Sequence, residues 1–341
     1  MSSEPSRDSA RPTARVVAQH RDRYVIRQPS GDRDAVLAGR YRHQITTAED
    51  LPAVGDWVIL VSDSHDVSQI CGLVSRRGAF RRKTAGIVTD VQIVAANVDL
   101  AIIATALPHD VNIRRLERYL ALAWESGAVP LIVLTKADLV DDAEPTLAEV
   151  RANAPGVDVL AVSTLTGVGI ADIAARLKPG ATAALLGSSG VGKSTLVNAL
   201  LGAERQRTAD VRADGAGRHT TTHRELIDLP GGASLIDTPG MRELQLWTAG
   251  DGLESTFDDI TELANECRFG DCAHRSEPGC AVRTAIERGE LDPARLVSWN
   301  DLRRELAYLE RRQDAAANAA ARNYAKSMVR LLRGRLREKY E

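Results

Sequence analysis

The stretch that decides the fold is Gly187-Ser188-Ser189-Gly190-Val191-Gly192-Lys193-Ser194. It fits G-x-x-x-x-G-K-[ST] without a mismatch, and it stands between the apolar residues 183–186 and the helix-forming residues 195–201. A strand, a glycine-rich loop and a helix in this order are typical of a phosphate-binding loop. We expect the loop N–H groups and Thr195 at the helix start to contact phosphate. Lys193 should reach the β- and γ-phosphates, and Ser194 should ligate Mg²⁺.

The chain around this loop alternates between apolar strands and helical segments. The strands are predicted at residues 100–104, 131–134, 159–162, 183–186 and 234–236. Between two of them, residues 112–126 place Ile113, Leu116, Leu120 and Ala123 at helical spacing. Buried parallel strands separated by helices predict an α/β domain, which we assign to residues 86–248.

A second phosphate-facing motif follows the predicted strand at 234–236. Its residues are Asp237-Thr238-Pro239-Gly240. An aspartate at a strand end can hold Mg²⁺ through water, and a glycine backbone can approach the γ-phosphate. D-x-x-G is a weak signal alone, but downstream of a phosphate loop it predicts a second half of the same site.

Two short motifs upstream of the loop predict the identity of the base. Thr135-Lys136-Ala137-Asp138 follows one apolar strand, and Ser163-Thr164 follows the next. The Asp138 carboxylate can accept two N–H bonds from guanine, which adenine does not offer, and losing them would cost about 1–3 kcal/mol. The Lys136 stem can cover the base, and backbone N–H groups at Ser163-Thr164 can close the pocket. This motif disfavours the alternative of an ATP-dependent kinase.

The N-terminal part of the chain has a different pattern. Residues 1–12 are polar and are expected to be disordered. Residues 13–85 contain about five short β-rich runs separated by turns, which predicts a small β-barrel of the OB type. A small β-domain with only a packing role is the alternative.

Three of the four cysteines cluster with a histidine near the C-terminus. Cys267, Cys272, His274 and Cys280 give C-x4-C-x-H-x5-C, a closed set of four ligands typical of structural Zn²⁺. Buried unligated cysteines are the alternative, and Cys71 is expected in a core. We assign residues 249–341 to a helical zinc-binding domain whose last helix is basic.

The charge distribution bears on partners. Residues 1–85 carry 14 Lys and Arg against 10 Asp and Glu, and residues 322–341 carry seven against two, whereas the net charge is −2. Arg76, Arg77, Arg81, Arg82 and Lys83, together with the basic tail, favour RNA contact, with a solvated helix as the alternative reading of the tail. No signal-like or membrane-length apolar run is present, so we expect a soluble cytoplasmic protein.

These motifs resemble the five G-motifs of Ras-type GTPases in a circularly permuted order, because the base-reading segments precede the phosphate loop. With a β-barrel before them and a Cys/His cluster after them, the chain resembles the RsgA (YjeQ) family of small-ribosomal-subunit-dependent GTPases from about residue 15 onward. The resemblance implies GTP or GDP, Mg²⁺ and one structural Zn²⁺ as cofactors. It also implies the 30S subunit and 16S rRNA as partners, and a monomeric factor that is released when GTP is hydrolysed.

The resemblance also implies a switch at residues 215–222. There Thr221, with Thr220 as second choice, would complete the Mg²⁺ shell. Met241 stands where Ras-like enzymes carry a water-orienting glutamine, so intrinsic hydrolysis should be slow. His219 or a group from the partner would then supply the missing function, although His219 making only a structural contact remains open. A GTP-dependent switch that acts on a protein partner without RNA is the alternative function.

Overall fold

The computed structural model describes residues 12–20, 22–61, 67–83, 91–202, 224–237, 251–308 and 311. The expectations for residues 1–11, for the switch residues His219, Thr220 and Thr221, for Gly240 and Met241, and for the basic tail lie outside these residues.

The N-terminal strands close into a five-stranded barrel. They are β1 (Thr13–His20), β2 (Arg23–Gln28), β3 (Gly31–Leu37), β4 (Trp57–Leu60) and β5 (Ser68–Leu73), with helix α1 (Gly39–Gln44) after β3. The strand order is β1-β2-β3-β5-β4, and β4 pairs back onto β1. β3 and β5 are parallel, and the other neighbours are antiparallel. Tyr24, Ile26, Val58 and Ile70 fill the interior. The OB-type barrel predicted from the sequence is confirmed.

The central domain is built on a mostly parallel sheet. Its strands are β8 (Leu100–Ala106), β9 (Val129–Thr135), β10 (Asp158–Ala161), β11 (Thr182–Leu186), β12 (Arg224–Asp228) and β13 (Ser234–Asp237). β10, β9, β8, β11 and β13 run parallel in that order, and β12 is antiparallel to β13. A separate antiparallel pair, β6 (Ala79–Lys83) and β7 (Val91–Ala96), links barrel and sheet.

Helices cover both faces of this sheet. They are α2 (Ile113–Glu125), α3 (Glu144–Ala152), α4 (Ile170–Arg176) and α5 (Lys193–Leu201). Side chains alternate along β11: Ala184 and Leu186 join the cluster beneath α2 and α3, while Ala183 and Leu185 join the one beneath α4 and α5. Strands buried on both faces explain the continuous apolar runs in the sequence. The α/β fold is confirmed.

The C-terminal helices extend the core under α2. They are α6 (Asp251–Thr256), α7 (Asp258–Asn265), α8 (Ala281–Glu287) and a helix α9 over residues 293–308. Phe257, Val282 and Trp299 belong to the same buried cluster as Leu120 of α2. α6 lies close against α2, since a Cβ on Gly252 would stand 2.3 Å from the Ala121 carbonyl oxygen. None of the helices within the described ranges has the length and apolar character needed to cross a membrane.

The barrel and the central sheet share strand β1. Ala18 pairs with Glu225 and Gln19 with Arg224, so β12 adds to the barrel strand and one sheet runs through both modules. The β1–β2 register shifts between Val16 and Ala18, which is the irregularity of a β-bulge. Val16 faces the barrel core, and the adjacent Val17 joins the core of the central domain, because successive side chains of a strand point to opposite faces. The division at residues 85/86 remains a proposal.

Candidate nucleotide site and metal centre

The predicted phosphate loop leaves β11 at the carboxyl edge of the sheet and enters α5. Gly187 has a φ of +135°, and a Cβ there would stand 2.2 Å from the Ala104 carbonyl oxygen of β8. Only glycine fits so close to a neighbouring strand. Gly192 precedes α5 in the left-handed region with open space around its Cα, so the backbone at the helix start is accessible. This N-terminus is suited to bind an anion.

The Lys193 ammonium group is held inside the loop. Its Nζ donates hydrogen bonds to the carbonyl oxygens of Gly187, at 2.8 Å, and of Ser188. The ammonium group therefore lies inside the loop, next to the start of α5, whose first residue is Lys193 itself. The chemistry of this donor set fits a polyphosphate bound with Mg²⁺, and Ser194 follows in the first turn of α5.

A buried threonine joins the predicted base-reading motif to the predicted phosphate loop. Thr135, at the end of β9, is 3% exposed, and its hydroxyl donates to the Val191 carbonyl oxygen at 2.6 Å. The same hydroxyl lies 3.2 Å from the Thr105 carbonyl oxygen of β8. Sequence reasoning gave Thr135 only as part of the T-K-x-D motif. A buried hydroxyl in an apolar strand, which must find a partner, was the signal available.

The two base-reading segments meet at the next position. Lys136 has a φ of +58°, a strained conformation for a non-glycine residue, and it opens a short turn that presents Asp138. The Ser163 hydroxyl donates to Asp138 Oδ1 at 2.5 Å, and the Ala137 N–H bonds the Val162 carbonyl oxygen. The structure thus brings together Asp138, Ser163 and, next in the chain, Thr164. A side-chain carboxylate beside backbone amides at a strand edge is suited to read a purine edge.

The strand that leads to the D-x-x-G motif ends at the same edge. β13 runs parallel to β11, and its last residue, Asp237, pairs with Glu225 of β12. The segment just before Asp237 is therefore positioned at the carboxyl end of the sheet, on the side of the phosphate loop.

The four predicted zinc ligands come together between α7 and α8. Their ligand atoms all lie within 4.8 Å of one another. His274 Nδ1 is 3.6 Å from Cys267 Sγ and 3.5 Å from Cys280 Sγ, and the two sulfur atoms are 3.9 Å apart. Bonds of about 2.3 Å to sulfur and about 2.0 Å to nitrogen at tetrahedral angles require separations of about 3.5–3.8 Å. The donor set fits Zn²⁺, and the three separations among Cys267, His274 and Cys280 agree with tetrahedral coordination.

The segment around Cys272 and His274 is held by hydrogen bonds to one carboxylate, that of Glu277. Glu277 accepts backbone N–H bonds from Ala273, Arg275 and Ser276 at 3.1, 2.8 and 2.9 Å. The hydrogen bond from its own backbone N–H, followed by those from Arg275 and Ser276, lowers the pKa of Glu277 to about 2. The Ala273 and Arg275 amides flank His274, whose φ of +58° the loop must maintain. Sequence reasoning did not identify Glu277.

The thiols differ in their ease of ionisation. Burial opposes ionisation of Cys267, but backbone N–H groups of Val282 and Ala281 and the neighbouring thiols lower its pKa. Burial is the largest cause that raises the pKa of Cys272 to about 11. The N-terminal amides of α8 thus favour one thiolate, as expected for a metal ligand beside a helix start.

A buried arginine joins the C-terminal helices to the central domain. Arg295 of α9 is 3% exposed and donates to Asp259 of α7 through two nitrogens, at 2.5 and 2.9 Å. It also bonds Glu117 of α2 at 3.2 Å and the backbone carbonyl oxygens of Asn153 and Thr256. No signal in the sequence distinguishes Arg295 from the exposed arginines around it.

The arginines that favoured RNA contact in the sequence have partners within the protein. Arg76 donates to the buried Asp56 carboxylate and to the Glu49 and Leu51 carbonyl oxygens, which commits its guanidinium to the barrel. Arg77 and Arg81 pair with Asp99 and Glu49 but stay 70% and 36% exposed. Arg76 therefore gives no support to RNA contact.

Comparison with known proteins agrees with this geometry. The RsgA GTPase family model matches residues 73–247. "Small ribosomal subunit biogenesis GTPase RsgA 1" of Oceanobacillus iheyensis is 47% identical over 305 residues, which cover 89% of this chain and 87% of that protein. "Small ribosomal subunit biogenesis GTPase RsgA" of Opitutus terrae is 46% identical over 341 aligned residues, covering 95% and 91%.

Solved structures show the same fold. YjeQ from Thermotoga maritima matches with a TM-score of 0.66 and 26% identity, over 87% of this chain and 99% of that one. The structure described as YloQ, a circularly permuted GTPase, has a TM-score of 0.64 and 24% identity, over 89% and 98%.

Proposed function

The chain belongs to the RsgA GTPase family, and from that premise we propose that it hydrolyses GTP during late maturation of the 30S ribosomal subunit. It binds the subunit in the GTP state and leaves when GTP is hydrolysed. The observation that carries the guanine-nucleotide site is the Thr135–Val191 hydrogen bond, which joins the T-K-x-D turn to the phosphate loop. The names of the relatives, at 46–47% identity over most of the chain, support the ribosomal part.

The nucleotide contacts are assigned by element. Asp138 accepts from the guanine edge, with Lys136 against the ring plane and amides around Ser163 and Thr164 at the rim. The phosphates lie in the loop and at the start of α5, against the backbone of Gly187, Ser188, Ser189, Gly190, Val191, Gly192, Lys193, Ser194 and Thr195. The Lys193 ammonium, already held at the loop by two carbonyl oxygens, turns to the β- and γ-phosphates.

Magnesium, when bound, neutralises charge that develops on the phosphates. The residues that would hold it are Ser194, Asp237 and Thr221, with Thr220 as second choice. Gly240 offers its backbone amide to the γ-phosphate. Asp237 is the last residue of the β12–β13 hairpin, and Thr221 lies three positions before its first residue, so one short element connects these two proposed Mg²⁺ ligands.

Hydrolysis is proposed to depend on the partner. Met241 has no polar group to orient a water molecule, so the intrinsic rate is slow. His219, or a group supplied by the small subunit, orients the water and completes the site. His219→Ala should then reduce the stimulated rate, whereas an unchanged stimulated rate would contradict this role.

Zinc is proposed to be structural, since four protein ligands leave no open position. Cys267, Cys272, His274 and Cys280 would hold it, which fixes the loop between α7 and α8. One equivalent of zinc in natively purified protein, lost in Cys280→Ser, is the expected result. No stoichiometric metal would overturn the site.

We further propose that the protein acts as a cytoplasmic monomer on 16S rRNA. The assignments 1–12 disordered, 13–85 barrel, 86–248 GTPase domain and 249–341 zinc-binding domain belong to this proposal. The barrel, the zinc domain and the basic tail are the modules that contact the subunit.

A GTPase assay with and without purified 30S subunits tests the function. The expected result is a rise in kcat on adding 30S subunits, together with salt-sensitive co-sedimentation in the presence of a non-hydrolysable GTP analogue. Competition between GTP and ATP tests the selectivity for guanine, and ATP binding as tightly as GTP would contradict the role of Asp138. Tight GTP binding without association with 30S subunits would favour a switch that acts on a protein partner.

A further inference from the structure

The hairpin between the predicted switch at residues 215–222 and the D-x-x-G motif is bonded to the barrel. We call β12, β13 and the turn between them, residues 224–237, the switch hairpin. Its first strand begins three residues after Thr221, and its second strand ends at Asp237. Because β12 and β13 are antiparallel, both of these chain ends lie at the edge of the sheet where the phosphate loop lies.

One row of residues crosses three strands at this edge. Ala18 of β1 pairs with Glu225 of β12, and Glu225 pairs with Asp237 of β13. Neighbouring strands are about 4.8 Å apart, so the barrel backbone lies about 10 Å from the backbone of Asp237. β12 therefore lies between Asp237 and the barrel strand β1, and its backbone pairing connects the two.

A side-chain contact ties the other end of the hairpin to the barrel. Arg27 of β2 donates to Asp228 Oδ2 at 2.5 Å, and it also bonds both oxygens of Asp32 in the barrel. Asp228 in turn accepts from the Ser234 hydroxyl across the hairpin turn at 3.1 Å. Arg27 thus holds the turn of the hairpin against β2 and β3.

Apolar packing fills the space between these two ties. Val17 is buried in the same cluster as Leu226 and Ile236 of the hairpin. A Cβ on Gly55, in the loop before β4, would stand 3.0 Å from Ile236 Cδ1. The barrel therefore contacts the switch hairpin along its length, through backbone, ion pair and core.

We propose that the barrel positions the switch hairpin, so that docking of the barrel and binding of the γ-phosphate are coupled through the row Ala18, Glu225 and Asp237, with Arg27 as a positioning residue. The proposal rests on the proposed function for the roles of Thr221 and Asp237. Closely packed strands transmit a displacement because each has few alternative arrangements. A barrel seated on its partner holds β12 in one position, and the GTP state favours the same position.

Hydrogen exchange of the full chain tests this coupling without any ribosome. Amides of residues 13–20 are expected to exchange several-fold more slowly with Mg²⁺ and a non-hydrolysable GTP analogue than with Mg²⁺ and GDP. Residues 68–73 of β5 belong to the barrel but do not pair with β12, and they should exchange equally in both states. Equal exchange of residues 13–20, with binding of both nucleotides verified by titration, would overturn the proposal.

Arg27→Ala tests the positioning role, with Arg176→Ala as matched control. The Arg176–Asp158 pair has side chains 34% and 63% exposed, against 33% and 60% for Arg27–Asp228, but it lies at the opposite edge of the sheet. Arg27→Ala should shrink the exchange difference and lower the 30S-stimulated kcat several-fold with KM for GTP unchanged, and Arg27→Lys should restore part of both. Equal effects of the Arg27 and Arg176 variants would contradict it.

The experiments distinguish a failure of the coupling from a failure of the proposed ribosomal function. If 30S subunits stimulate hydrolysis but residues 13–20 do not respond to the nucleotide, the coupling is wrong and the function stands. If residues 13–20 respond but 30S subunits neither bind nor stimulate, the ribosomal function is wrong and the coupling stands.

Discussion

The two modules that flank the GTPase sheet are attached to it by different kinds of contact. The barrel is joined through a backbone ladder between β1 and β12, with an exposed ion pair beside it. The C-terminal helices are joined through a buried arginine that bonds two carboxylates and two carbonyl oxygens. A ladder depends little on side-chain identity, whereas a buried ionic joint depends on one residue. We therefore expect single substitutions to weaken the arginine attachment much more than the strand pairing.

Replacing the buried arginine should give the largest effect. Arg295→Met leaves Asp259 and the buried Glu117 without their cation, and breaking a buried pair in this way costs about 3–5 kcal/mol. Denaturant unfolding measures the loss. Arg304→Met is the control, because Arg304 pairs with Asp301 at the surface with 69% of its side chain exposed, and it should cost under about 1 kcal/mol. Similar losses for the two variants would show that the joint is not buried in solution.

Adding a side chain at Gly55, where the barrel meets the central domain, should give the second-largest loss of stability. Gly55 has a φ of +93°, and a Cβ would stand 2.2 Å from the Ala96 carbonyl oxygen. Gly55→Ala should cost about 1–3 kcal/mol from backbone strain alone, and more from the overlap. Gly31→Ala is the control, since Gly31 has a φ of +114° with open space around it and incurs only the strain. Thermal unfolding that ranks Gly31→Ala as the worse variant would contradict the close approach.

The ion pair beside the ladder should contribute less to stability. Asp228→Ala removes the bonds from Arg27 and from Ser234, and exposed pairs contribute about 0.2–1 kcal/mol. Ser234→Ala removes only the second bond, so the difference between the two variants isolates the contact with the barrel. Unfolding in urea at low and high salt should show that this difference shrinks as salt increases. A loss as large as that of Arg295→Met would remove the contrast between the attachments.

The smallest effect is expected in the zinc loop, and it should depend on pH. The pKa of Glu277 in the folded protein is about 2, below its ordinary value of 4.5. The ionised Glu277 side chain therefore stabilises the folded protein fully above about pH 4.5, and this stabilisation disappears as the pH falls toward 2. At pH 7, Glu277→Gln should release zinc to a chelator faster than the parent protein, as followed by a colorimetric indicator. Glu287→Gln, at the exposed end of α8, is the control and should behave like the parent.

The sequence predicted those features that depend on neighbouring residues. The phosphate loop was predicted because strand, glycines, lysine and helix are contiguous, and β11 and α5 stand where the pattern placed them. The grouping of Cys267, Cys272, His274 and Cys280 was predicted because their spacing fits a closed ligand set. The barrel was predicted from short runs and turns, since each strand pairs with one nearby in the chain.

The features that were missed depend on contacts between distant residues. Nothing in residues 13–20 indicates that β12 will pair with them, because strands pair through backbone N–H and C=O groups, which are the same whatever the side chains. The same holds for Arg295, whose partners come from three other helices and a loop. Arg76 was one of five basic residues that, with the basic tail, favoured RNA contact, and nothing in the sequence indicated that it would pair with Asp56, 20 positions away.

The shared strand also has a consequence for the order in which the chain folds as it is synthesised. Arg27 and Asp228 are 201 positions apart, so at about 5–20 residues per second the switch hairpin emerges roughly 10–40 s after the first barrel strands. During that interval the barrel can close on itself through β4, but the end of β1 remains an open edge. Unpaired edges invite pairing with other chains. This edge is covered only once β12 has been synthesised and pairs with Ala18 and Gln19.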